Sequence, residues 1–120
     1  MKNDINFEEF RNPSAEYRGK PFWAWNGKIE KSEVKRQVEA FKKMGFGGAF
    51  IHSRTGLLTE YMSDEWLGDV KFAAETLHEN GLIAYLYDED RWPSGTCGGY
   101  VTEDKNFRAK FMIYDEVTDI

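Results

Sequence analysis

Along the chain, apolar residues fall into two alternating periods. Pro21-Phe22-Trp23-Ala24-Trp25-Asn26 is a short aromatic run that reads as a strand. Proline opens it, a place where its missing N–H is tolerated, and Asn26-Gly27 closes it. From Lys31 to Met44 the period changes. Val34, Val38 and Phe41 fall at i, i+4 and i+7, with Met44 one turn on, and charged residues fill the positions between. That spacing predicts a helix, capped by Glu30 or Ser32 and stopped at Gly45.

The cycle then repeats. Gly47 to His52 reads as a second strand, followed by a loop from Ser53 to Met62. Ser63 is placed to cap a second helix whose first turn holds Asp64 and Glu65, where acids suit the dipole. Trp66, Val70, Ala73 and Leu77 form its apolar stripe, and Asn80-Gly81 ends it. Leu82 to Tyr87 is continuously apolar, as a strand buried on both faces of a parallel sheet should be. A glycine-rich loop follows, and Phe111 to Tyr114 reads as a fourth strand or the start of an extension. Residues 1–20 are polar and irregular, an arm with one helical turn near Phe7 to Phe10. The expected division is an arm over 1–20 and an α/β domain over 21–120. Its order, β-α-β-α-β-loop-β, calls for parallel strands and right-handed crossovers. Either the opening of a (β/α)₈ barrel or a small doubly wound sheet satisfies it.

In both architectures ligands bind beyond the carboxyl ends of the strands. The sequence changes abruptly from apolar to polar at those points. The first strand ends in Trp25-Asn26, the second in His52-Ser53-Arg54, and the third in Asp88-Glu89-Asp90, followed by Arg91-Trp92. Asparagine and carboxylates pair with vicinal hydroxyls, and arginine offers a fixed fork. A tryptophan face stacks on the C–H face of a pyranose. Asn26, His52, Arg54, Asp88, Glu89, Asp90 and Trp92 are therefore the candidate contacts to a neutral polyhydroxyl ligand. Consecutive acids are costly to bury unless paired or bound to a cation. A capped or salt-bridged turn is the competing reading of that triplet. For His52 the competing reading is a satisfied strand-end histidine. Trp23 and Trp25 face packing at least as readily as ligand, and Trp66 belongs to its helix stripe.

Composition narrows the function classes. With 16 basic and 21 acidic residues, the net charge of −5 gives no footprint for nucleic acid or an anionic membrane. No apolar run approaches the roughly 20 residues that span a bilayer, and the polar start lacks a signal core, so a cytoplasmic protein is expected. A single cysteine, Cys97, and two histidines provide neither a disulfide nor a structural zinc site. The loop Pro93 to Gly99 follows a strand, as a phosphate loop would, but three acids stand just upstream and would repel a phosphate.

Three segments resemble the start of the barrel in large bacterial glycoside hydrolases similar to glycoside hydrolase family 106, the α-L-rhamnosidase family. They are Pro21-Phe22-Trp23-Ala24-Trp25-Asn26-Gly27, then Gly47 to Leu57 with its His52-Ser53-Arg54-Thr55-Gly56-Leu57, then Tyr85 to Gly95 with its Asp88-Glu89-Asp90-Arg91-Trp92-Pro93-Ser94-Gly95. The resemblance covers roughly residues 20 to 110. It implies a much longer, inverting enzyme whose barrel continues with further βα units and then β-rich domains. It also implies a bound calcium in that enzyme, and an acid and base on later strands. A complete barrel takes roughly 200 residues or more. The expectation is thus an incomplete (β/α)₈ barrel that binds carbohydrate and is inactive alone. Its open sheet edges would invite self-association. The alternatives are a non-catalytic α/β domain that binds carbohydrate or protein, and a truncated inactive fragment.

Overall fold

The computed structural model describes residues 6–91 and 95–114. Its centre is a three-stranded parallel sheet: β1 (Phe22–Trp25), β2 (Gly48–Ser53) and β3 (Ile83–Asp90), in the order β1-β2-β3. Helix α2 (Lys31–Lys43) joins β1 to β2, and α3 (Asp64–Glu79) joins β2 to β3. Before the sheet come α1 (Phe7–Arg11) and a 3₁₀ turn at Ala15–Tyr17. After it come a 3₁₀ turn at Cys97–Gly99, a short α4 (Tyr100–Glu103) and a 3₁₀ turn at Lys105–Phe107.

The helix limits follow local chemistry. Ser63 Oγ accepts the Trp66 N–H at 3.2 Å and caps α3. Asn80 ends that helix, and Gly81 leaves it at φ +71°. Gly45, at φ +80°, turns the chain out of α2, a conformation that glycine adopts without a Cβ penalty. Glu30 holds the N-cap position of α2, but its side chain makes no capping bond, and Ser32 lies inside the helix. The acid therefore serves the helix through its charge near the dipole, and it also pairs with Lys28 at 3.7 Å.

Both helices pack on one face of the sheet. Trp23, Trp25, Ala49 and Ile51 point that way and meet Val34 and Val38 of α2 and Ala73 and Leu77 of α3. The two tryptophans are thus core. Trp23 packs edge-on against Phe41 and donates its indole N–H to Gln37 at 2.5 Å. The opposite face is lined by rings. Phe50 stacks on Tyr85, and His52 lies between Phe22 and Tyr87.

Two expectations change. The third strand is longer than its apolar run and carries Asp88 to Asp90 within it. It is not buried on both faces, since Leu86 is 53% exposed. It lies at the sheet edge, and among the described residues no strand pairs with its outer side. Phe111 to Tyr114 forms no strand. It runs as exposed irregular chain, since among the described residues it meets no sheet edge to pair with.

Candidate functional site

Parallel register brings the three strand ends to one rim. Phe22 pairs with Phe50, and Trp25 with Ser53, which in turn pairs with Asp90. Backbone bonds tie the tips together: Arg54 N–H donates to Trp25 O at 2.9 Å, and Arg91 N–H to Ser53 O at 3.1 Å. The register from β2 to β3 shifts between Ile51 and Ser53. Ile51 faces Leu86 while Ser53 faces Asp90, so β3 carries extra residues at its tip, an irregularity of the bulge kind that re-aims side chains beside a site.

Beyond this rim lies a cleft of about 280 Å³ between the loop after β2 and the chain after β3. Arg54, Tyr61, Asp90 and Arg91 are among its walls, with Gly56 and Gly98 in its lining. The two glycines are there for a steric reason. Gly56, at φ +102°, brings its backbone against the Asn26 carbonyl, and Gly98, at φ +65°, lies against the Tyr61 ring. A Cβ at either would collide. Arg91 (φ 68°), Cys97 (φ 48°) and Met62 (φ 65°) also take left-handed backbone conformations in these same loops. Such strain costs of order 1–3 kcal/mol per residue and persists where the surroundings enforce it, often at ligand sites.

The charges are arranged in opposition. Asp90 is buried and accepts two bonds from Arg91, Nη2 at 2.6 Å and Nε at 3.0 Å. That carboxylate raises the pKa of the Arg91 guanidinium. Burial raises the Tyr61 hydroxyl, with Cys97, Asp90 and Asp88 adding to it. Tyr61 packs edge-on against Trp66, whose indole N–H donates to Ser53 Oγ at 2.9 Å. Ser53 is thus a buried strut between β2 and α3.

His52 lies beside the cleft, behind the rim. It is 1% exposed, and among the described residues neither ring nitrogen finds a hydrogen-bond partner. Phe22 and Tyr87 flank it, each with ring centroids 4.4 Å away. Burial lowers its pKa, and Arg54 lowers it further, against a partial offset from Glu89 and Asp90. The imidazole is neutral near pH 7. Glu89 is buried on the same face, and burial raises the Tyr87 hydroxyl, with the Glu89 charge and its hydrogen bond adding to it.

The candidates divide as follows. Arg54 and Asp90 line the cleft, joined by Arg91 and Tyr61, which sequence reasoning did not select. Arg91 stood next to the acidic triplet, a usable signal; Tyr61 sits in a loop with no periodicity to mark it. Asn26 is exposed at the first tip, where its carbonyl backs Gly56. His52 and Glu89 lie on the ring-lined face, and Asp88 is exposed outside the cleft lining. Trp92 lies outside the described residues. The acids do not form a calcium cage. Strand alternation sends Glu89 away from its neighbours, Asp90 is committed to Arg91, and among the described residues no group of three or more His, Cys, Asp or Glu side chains is placed to hold a metal. Calcium binding needs six to eight oxygens.

Fold and rim together define an α/β protein with a parallel sheet and a polar cleft at the strand C-termini. The chain is similar to a solved rhamnosidase from Novosphingobium sp. PP1Y, with 25% sequence identity and a TM-score of 0.62. The likeness covers 75% of this chain and 9% of that one. It supports, at a distance, a relationship to rhamnosidase-like glycoside hydrolases. No family model matches the chain, and no curated protein matches it. Among the described residues no helix is long and apolar enough to cross a membrane.

Proposed function

We propose that this chain is the opening segment, arm 1–20 and βα units 21–120, of a cytoplasmic (β/α)₈ glycoside hydrolase of the α-L-rhamnosidase kind, and that it supplies sugar contacts. The observation that carries this reading is the cleft at the strand C-termini, where Arg54, Asp90 and Arg91 converge. In parallel α/β folds that end of the sheet is where ligands bind. The likeness to a rhamnosidase points to the sugar class. Asp90, held by Arg91, accepts from sugar hydroxyls, while Arg54 and the Tyr61 hydroxyl donate to ring and hydroxyl oxygens. Asn26, His52, Asp88 and Glu89, at the rim and behind it, belong to the same proposed contact set, and so does Trp92 by its place in the sequence.

Of the carboxylates that line the cleft among the described residues, one is already taken up by Arg91. An inverting hydrolase sets its two acids roughly 6.5–9.5 Å apart across the scissile bond, and the cleft wall contributes Asp90, already ion-paired, and Glu60. Binding without turnover is therefore the expected property of this chain.

The test is a titration of the isotope-labelled chain with L-rhamnose, followed by amide chemical shifts. Shifts centred on Arg54, Gly56, Tyr61, Asp90, Arg91 and Gly98 and reaching Asn26, His52, Asp88, Glu89 and Trp92 are expected, with millimolar affinity. Arg54→Ala should weaken binding by about tenfold, the worth of one charged hydrogen bond, and Glu75→Gln on the outer surface of α3 should leave it unchanged. Shifts absent at saturating sugar, or scattered over the helices, would remove the sugar assignment.

A further inference from the structure

The ring-lined face of the sheet buries an imidazole that no hydrogen bond accounts for. His52 is 1% exposed, and among the described residues neither of its nitrogens has a partner. A buried polar group in that state is uncommon in native proteins and asks for a role. Phe22 of β1 and Tyr87 of β3 close on it, each with its ring centroid 4.4 Å away, and their own centroids are 5.6 Å apart. The two neighbouring strands complete the burial, and no further element is needed for it.

The same cluster reaches the cleft. The Arg54 guanidinium carbon stands 5.9 Å from the Phe22 ring centroid, within the range at which a cation is drawn to a ring face. Among the described residues the Arg54 side chain has no ion pair or hydrogen bond, so the Phe22 ring is its seat. Phe22 in turn leans on His52 at a tilt of 54°, and His52 stacks on Tyr87 at 27°. Contact thus runs from Arg54 in the cleft wall through Phe22 to the buried imidazole.

Few charges face that ring. β1 brings none, the chain after β2 brings Arg54, and β3 brings Glu89 and Asp90 beside the Tyr87 hydroxyl. Asp90 is already engaged by Arg91. A neutral imidazole fits between the rings. A protonated one carries two N–H donors, neither with an acceptor in this arrangement among the described residues. Phe22 then meets two cations where it met one. We infer that His52 is a positioning residue for Arg54: its neutral ring holds Phe22 where Arg54 rests, and a proton on it frees Arg54 from the cleft wall. The coupling is reciprocal, since the Arg54 charge also disfavours that proton. The sugar contact of Arg54 rests on the proposed function, whereas its link to His52 does not.

A pH titration of the isotope-labelled chain without sugar, from about pH 7.5 to about 4.5, tests the link. The His52 ring carbons report its own midpoint, expected below the ordinary value of about 6.5. The Arg54 Nε–H and Phe22 ring signals should move with that same midpoint. His52→Phe keeps a ring in the stack and removes the proton, so the shared midpoint should vanish from Arg54. Phe22→Leu removes the link instead: His52 should still titrate while Arg54 no longer follows. Amide shifts of Val38 and Leu77 that match the parent chain show that either variant has folded. With L-rhamnose present, affinity about one pH unit below the midpoint should fall about fivefold, toward the loss expected for Arg54→Ala. A chain that binds no rhamnose but keeps the shared midpoint ends the sugar reading and upholds the link. Arg54 signals indifferent to the His52 midpoint overturn the inference. So does a shared midpoint that persists in a folded His52→Phe or Phe22→Leu variant, and so does an imidazole that stays neutral until the chain unfolds.

Discussion

His52 shows how a single buried ring sets a pH response. Its nitrogens find no partner among the described residues, and burial holds its pKa below the ordinary value. The unfolded chain takes up that proton near pH 6.5, while the folded chain resists it. Stability from this group is therefore complete above about pH 6.5 and declines as the pH falls from there toward the lower folded value. Thermal unfolding followed from pH about 7.5 to about 5 should show the decline, and His52→Phe should flatten it. A decline unchanged in His52→Phe would assign it to another group. Asp69 acts oppositely and in a lower range. Burial and Glu65 raise its pKa, against an offset from Lys31, so its cost is present above its folded pKa and is relieved as the pH falls toward about 4. Neither environment was visible in the residue types. His52 was readable as a strand-end group, but the rings that bury it come from the two neighbouring strands. Asp69, one position before Val70 of the predicted stripe, was passed over because acids rarely occupy a buried face.

At the scale of elements, the two helix starts make a contrast. Ser63 caps α3 through its side chain, whereas Glu30 occupies the same position on α2 without a bond. Ser63→Ala should cost about 1 kcal/mol in urea unfolding, and Glu30→Ala less than about 0.5 kcal/mol. Equal losses would refute the distinction. Gly48 tests the sheet. A Cβ there would overlap the Ile83 carbonyl on the neighbouring strand. Gly48→Ala should destabilise the fold by about 3 kcal/mol through overpacking against backbone, read from the same urea transitions. Gly47 and Gly48 were legible as the start of the second strand. Their purpose was not, because it depends on how close the arm and β3 come. The helices were legible in period, face and stop signals. Phe111 to Tyr114 was legible as strand-forming, but a strand exists only where an edge receives it.

On the scale of the whole molecule, one helix layer covers one face of a three-stranded sheet, and the ring-bearing face and the β3 edge are left to other contacts. The cleft and the edge lie on different surfaces of β3, the tip and the flank.

By itself, the order of residues determined the alternation of strands and helices, their parallel arrangement and the polar change at each strand end. Those features depend on periodicity and on capping within a few residues, which are local properties. Tertiary structure alone decided which acid enters the cleft, which ring face buries His52, and that Tyr61 and Arg91 stand beside Asp90. These outcomes follow from the register between β2 and β3 and from which edges find a partner, and both arise from contacts between residues far apart in the chain.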